Sequence, residues 1–160
     1  KRALAFDMKV MTMTRQSSVF VDGVETTDSL EALFAKADHL VLAAPATIET
    51  DNIVNTKTLS YLKQDAHLIN IARGSLVDEN DLKLALDSGK LARASLDAVQ
   101  TEPLPADHWI YGHEKVFLSP HLAWCDMRVI DAISTSFLDN LVLFAKQEPL
   151  NNVVDKKAGY

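Results

Sequence analysis

The amino-acid pattern predicts an α/β fold built on a mainly parallel sheet flanked by helices. Three observations predict it. Short apolar runs of strand length alternate with amphipathic segments of helical spacing along the chain. The stretch from His67 to Pro103, HLINIARGSLVDENDLKLALDSGKLARASLDAVQTEP, is a strand–helix–strand unit of the size a parallel crossover needs. Polar and charged residues recur just beyond the apolar runs, where open α/β sheets bind ligands.

Lys1 to Phe6 is a strand candidate that ends in Asp7, and Met8 to Ser18 reads as a loop. Val19 to Val21 is a short apolar run of strand type, turned by Asp22-Gly23. Thr27 or Asp28 is placed to cap a helix carrying Leu30, Leu33, Phe34 and Ala37 on one face. Leu40 to Ala44 is a buried-type strand stopped by Pro45, which has no N–H to give a ladder. After a loop from Thr47 to Asn52, Asn55 caps a short helix with Leu59 and Leu62.

The central unit follows. His67 to Ala72 is a strand broken by Arg73 and Gly74. Asp78 is a helix N-cap, with Glu79 and Asp81 in the first turn, where the helix dipole favours negative charge. Leu82, Ala85 and Leu86 sit at helical spacing, and Gly89 stands where a C-terminal cap glycine belongs. Leu91 to Leu96 is a second strand ending in Asp97. Crossovers of this kind are right-handed, so Arg73 and Asp97 should leave the sheet on one edge. A proline-interrupted loop, Pro103 to Gly112, holds Trp109 and Tyr111; Val116 to Leu118 is a last strand, left by Ser119-Pro120-His121. Asp126 to about Lys146 is a long amphipathic helix with Val129, Ile130, Ile133, Phe137, Leu141 and Phe144 expected inward.

Composition narrows the function. Of 160 residues, 48% are hydrophobic and 24% charged, an ordinary balance for one globular domain. A net charge of −6 argues against nucleic acid or an anionic membrane as a partner. No apolar run approaches a membrane span and no signal peptide is visible. Cys125 is the only cysteine, so no internal disulfide can form and a cytoplasmic setting is expected.

The residues leaving the strands' carboxyl ends are Asp7, Pro45, Arg73, Asp97 with Glu102 in the loop beyond, and His121. Each alone has an ordinary reading: a surface arginine, a packed histidine, a turn glutamate before proline, an aspartate that starts a loop. Converging on one crevice, Arg, Glu and His form an acid/base set. Histidine titrates near neutral pH and a neighbouring carboxylate fixes its tautomer, while arginine offers a planar fork for a carboxylate. Nucleophilic chemistry by Cys125 with His121 lacks an accompanying oxyanion-hole motif. The spacing of His108, His113 and His121 suits no tight metal site.

NIARGSLVDENDLKLALDSGKLARASLD, then TEPL, then SPHLAW resembles the D-isomer-specific 2-hydroxyacid dehydrogenases, phosphoglycerate and glycerate/hydroxypyruvate dehydrogenases among them. The resemblance runs from about Lys1 to Val154 and implies a Rossmann-like domain. It implies hydride transfer between a nicotinamide and C2 of a small 2-hydroxy or 2-oxo acid. Arg73 would hold the substrate carboxylate, His121 would exchange a proton with the carbonyl oxygen, and Glu102 would pair with His121. Asp97 would bond the nicotinamide carboxamide. Ala44, Pro45, Ile71, Ala72, Arg73, His121, Ala123 and Trp124 would line the cofactor, Trp124 resembling the glycerate/hydroxypyruvate type. Asp7 matches the acidic residue on the adenosine ribose, which favours NAD over NADP because a 2′-phosphate would be repelled.

The family's G-x-G-x-x-G turn is missing, and no glycine precedes Gly23. The expectation is therefore a partial NAD(P)-binding domain over residues 1–160, ending in the long helix and lacking the first strand and glycine-rich loop. The substrate domain would be largely absent and the chain by itself inactive. Such a sheet leaves unpaired edges, so a homodimer or association with the missing half is the expected assembly. The alternative, from a different class, is a non-catalytic remnant acting as a binding or interaction module.

Overall fold

Alternation of apolar side chains decides which face of each strand is buried. The computed structural model describes residues 1–14 and 21–157. Strands β3 (His39–Leu42), β4 (Ala66–Asn70), β5 (Leu91–Leu96) and β6 (Val116–Leu118) form one parallel sheet in that order. Leu40, Leu42, Leu68, Ala94 and Leu96 point to one face and are buried. That face is covered by Phe34 of α2 (Leu30–Lys36), Leu59 of α3 (Thr56–Tyr61), and Leu82 and Leu86 of α4 (Glu79–Asp87). The opposite face carries His39, Val41, His67, Arg93 and Phe117 and is largely open, with Phe117 70% exposed.

The helices start where short polar side chains satisfy orphan N–H groups. Asn55 accepts from Lys57 and Thr58 in a reciprocal capping box, and Asp78 accepts from Asn80 and Asp81. Gly89 takes φ +76° just beyond α4, the left-handed conformation that ends a helix without a Cβ penalty. The α2 cap is Ser29, whose hydroxyl accepts from Ala32 N–H, rather than Thr27 or Asp28. Thr27 instead accepts from Ser29 N–H.

The N-terminal stretch differs from expectation. Lys1 to Phe6 contains a short helix, α1 (Arg2–Ala5), not a strand; its Arg-Ala-Leu-Ala residues are all strong helix formers without β-branching. The expected Met8–Ser18 loop contains strand β1 (Val10–Thr12), which pairs in parallel with β2 (Val24–Thr26) as a separate two-stranded sheet. The expected Val19–Val21 strand lies mostly outside the described residues, and β2 begins just after the Asp22-Gly23 turn.

The last helix, α5 (Met127–Ala145), lies within the expected Asp126 to Lys146 span, and Asp126 is its N-cap. Of the residues expected inward, only Val129 is half-buried. Ile130, Ile133, Phe137, Leu141 and Phe144 are exposed, and no described residue of α5 packs on the core. The amphipathic pattern was correctly helical, but no described element lies against its apolar face. Among the described residues, no helix is long and apolar enough to cross a membrane.

Candidate active site

The carboxyl ends of the four strands are level. Leu42, Asn70, Leu96 and Leu118 are successive partners in the ladder, so Ala43, Ile71, Asp97 and Ser119 all leave at one height. Backbone bonds continue the register one step further: Ile71 N–H to Leu42 carbonyl, Asp97 to Asn70, and Ser119 to Leu96. With strands about 4.8 Å apart, this edge spans roughly 14 Å. Arg73, the 97–102 loop and His121 therefore share one rim.

His121 and Glu102 are brought into direct contact: His121 Nδ1 lies 2.7 Å from Glu102 Oε2. That bond holds the Glu102 carboxyl below its usual range. Burial opposes the shift, while the Val99 N–H on Oε1 and the charges of His121 and Arg73 support it. Occupation of Nδ1 by the carboxylate presents Nε2 as the nitrogen for a ligand. His121 has φ 53°, an unusual conformation for a residue with a Cβ, and one that surrounding bonds must hold.

Those bonds come from Asp97 and Trp124. The Asp97 carboxylate accepts from the Ser119 hydroxyl, from Leu122 N–H at 2.9 Å and from Ala123 N–H at 2.7 Å. Burial pushes this carboxyl up, but the Ser119, Ala123 and Leu122 bonds outweigh it and leave it below the ordinary value, with His121 adding to the shift. Trp124, 58% exposed, donates its indole N–H to the His121 carbonyl at 3.0 Å. Asp97 thus clamps the loop that carries His121.

Arg73 is exposed, in extended backbone between β4 and a short 3₁₀ turn, Gly74–Leu76, with Nη1 donating to the Ala72 carbonyl at 2.7 Å. Its loop is shaped from beneath by fully buried Asn70. The Asn70 amide donates to the Arg73 carbonyl at 2.9 Å and accepts from Ala72 N–H at 3.0 Å. Ala44 is half-buried and Pro45 exposed beyond β3, where the Pro45 carbonyl accepts from Thr50. Ile71 is half exposed beyond β4, beside buried Ala72.

Asp7 does not join this edge. It follows α1 rather than a strand, is exposed, and has φ 57°. The strand that does emerge there, β1, is followed by Met13 and Thr14, so the ground for preferring NAD over its phosphorylated form is removed. Sequence reasoning missed Asn70, Gln100 and Ser119. Only Asn70, a polar residue closing an apolar strand run, left a signal.

The family model described as D-isomer specific 2-hydroxyacid dehydrogenase, NAD binding domain, matches residues 1–123. The chain belongs to that family. A glyoxylate/hydroxypyruvate reductase A from Salmonella newport is 34% identical over 99% of this chain and 50% of its own length. Among solved structures, an NADPH-dependent glyoxylate/hydroxypyruvate reductase from Sinorhizobium meliloti, in complex with NADP and sulfate, superposes with a TM-score of 0.91. It is 33% identical, over 99% of this chain and 52% of that one. A D-isomer specific 2-hydroxyacid dehydrogenase from Xanthobacter autotrophicus Py2, in complex with NADPH and MES, gives 0.88 at 31% identity, over 96% of this chain and 63% of that one. The chain spans about half the length of the curated relatives it matches.

The small apolar side chains and the carboxylate along the sheet edge could hold the nicotinamide end of a dinucleotide. Small and apolar Ala44, Pro45, Ile71 and Ala72 lie along it beside the carboxylate of Asp97. This is an NAD(P)-binding domain of the 2-hydroxyacid dehydrogenase family, with a Rossmann-like α/β architecture.

Proposed function

We propose that this chain supplies the hydride-transfer half of an oxidoreductase that interconverts a small 2-oxo acid and its D-2-hydroxy acid. The observation that carries it is the 2.7 Å bond between His121 Nδ1 and Glu102 Oε2 on the rim that also holds Arg73. The cofactor, held by Ala44, Pro45, Ile71, Ala72, Asp97, Ala123 and Trp124, supplies the hydride. Arg73 grips the substrate carboxylate with its planar fork and polarises the carbonyl. His121, its tautomer fixed by Glu102, delivers a proton from Nε2 to the carbonyl oxygen on reduction and takes it back on oxidation.

The names of the similar reductases support glyoxylate or hydroxypyruvate as the 2-oxo acid. NADP(H) is the preferred cofactor in this proposal. Its support is the NADP and NADPH in the similar structures and the absence of an acidic residue directly after β1. The half-length match and the missing G-x-G-x-x-G turn support residues 1–160 as the C-terminal part of a longer unit. The separation of β1–β2 from β3–β6 supports completion of the sheet by a further strand, from the remaining half or a second copy.

The test is reduction of glyoxylate and hydroxypyruvate with NADPH and with NADH, followed by loss of nicotinamide absorbance. Turnover that needs His121 supports the proposal. Cofactor binding without turnover of any 2-oxo acid, with the remaining half of the unit present, would favour the non-catalytic module instead.

A further inference from the structure

Glu79 opens α4 but does more than favour the helix dipole. Its side chain is nearly buried. Oε1 accepts from Gln100 N–H at 2.7 Å, and Oε2 lies 3.4 Å from His108 Nε2. Gln100 sits in the loop that carries Glu102, and its neighbour Val99 donates its N–H to Glu102 Oε1 at 3.1 Å. The Gln100 side chain reaches back to the Val77 carbonyl at 2.8 Å.

The same two segments touch backbone to backbone at Gly74. A Cβ there would lie 1.9 Å from the Val99 carbonyl oxygen and 2.4 Å from Gln100 N, which is why the residue after Arg73 is a glycine. The 73–79 segment and the 97–102 loop are thus pinned at Gly74, at Val77 and at Glu79. The first carries Arg73 and the second carries Glu102. Lys83, one turn further along α4, is engaged with Asp87 at 2.6 Å and does not compete for Glu79.

We infer that Glu79 is a positioning residue: by anchoring Gln100 N–H it fixes the Glu102 carboxylate against His121 and sets its placement relative to Arg73. This rests on the proposed roles of Arg73, Glu102 and His121. A buried carboxylate is retained at this point because one of its oxygens must hold a loop N–H that no helix or strand satisfies. The other oxygen is met by His108, the residue that opens the Trp109–Gly112 turn.

The test compares Glu79→Ala, Glu79→Asp and Glu79→Gln. Carboxyl carbon NMR reads the titration of Glu102, and imidazole nitrogen NMR reads His121, both in the purified protein without substrate. In Glu79→Ala the Glu102 midpoint rises toward the ordinary glutamate value as the His121 bond loosens. Glu79→Asp keeps the charge and the first-turn preference but withdraws the carboxylate by one methylene, so it moves the midpoint in the same direction. Glu79→Gln keeps an acceptor for Gln100 N–H while its NH₂ meets His108, so it moves the midpoint less than Glu79→Ala. Where 2-oxo acid turnover is measurable, kcat in Glu79→Ala falls about 10- to 100-fold, as expected for a misplaced catalytic group.

An unchanged Glu102 midpoint in Glu79→Asp, or a Glu79→Gln that shifts as far as Glu79→Ala, overturns the positioning role even if Glu79→Ala does not fold. The titrations need no turnover. A protein that reduces no 2-oxo acid would therefore refute the proposed reaction while leaving the Glu79–Glu102 coupling to be decided by NMR.

Discussion

Asp97→Asn isolates the clamp on the His121 loop while keeping its shape. The carboxylate meets three donors: the Ser119 hydroxyl and the N–H groups of Leu122 and Ala123. An amide oxygen at Oδ1 can keep Ser119 and Leu122, but the amide NH₂ would then face Ala123 N–H, donor against donor. An orphaned N–H costs about 1–3 kcal/mol where it is buried and less at exposed Ala123, and losing the charge weakens each remaining bond by about 1 kcal/mol. The expected cost at neutral pH is about 2–4 kcal/mol, a fall in Tm on the order of 10 °C for a chain of this size. The folded carboxyl of Asp97 titrates below its ordinary value. Its contribution is therefore complete above that ordinary value and is lost as pH falls through the lowered folded midpoint. Wild type and variant should converge in acid. Thermal unfolding by circular dichroism at a series of pH values reads this directly. A Tm within about 1 °C of wild type at neutral pH, or a gap that persists undiminished in acid, would show that Asp97 does not hold this loop.

Other substitutions probe the rest of the rim. Gly74→Ala forces a Cβ 1.9 Å from the Val99 carbonyl oxygen, a backbone atom that cannot rotate away. It should cost at least about 3 kcal/mol in chemical unfolding and shift the Glu102 and His121 NMR signals. Asn70→Ala leaves Ala72 N–H and the Arg73 carbonyl without their partner and should cost about 2–4 kcal/mol, with loss of amide protection at residues 72–74. Phe137→Ser on exposed α5 should change stability of the chain by no more than about 0.5 kcal/mol, because its side chain is 66% exposed.

Much of the fold was legible because local rules and tertiary packing agreed. β5 and β6 begin and end where the apolar runs do, and Asn55 and Asp78 cap the helices they were expected to cap. Thr27-Asp28-Ser29 offered three competent caps in a row, and only the position of Ala32 N–H selects Ser29. Lys1 to Phe6 is ambiguous because an apolar run this short suits a strand or a helix alike, and Asp7 follows a helix where a strand end is expected. The α5 residues show the limit of amphipathicity, which identifies a face that needs a partner but not whether the chain supplies one. At the site, Arg73, Asp97, Glu102 and His121 were visible as residues that end strands or follow them. Glu79 and Gln100 were not, because their partners lie 21 and 23 residues away and nothing local requires them; Asn70 was marked only as a polar residue closing an apolar strand run, its partners Ala72 and Arg73 lying in the turn just beyond.

The most direct test of the central claim is NAD(P)H-dependent reduction of glyoxylate and hydroxypyruvate by this chain completed with the half that the proposal assigns to it, with His121→Gln beside it. Wild type should turn over, and His121→Gln should lose about 10²- to 10⁴-fold in kcat, the share that a positioned acid–base group contributes. Turnover in His121→Gln within a few-fold of wild type would contradict the assignment of proton transfer to this histidine.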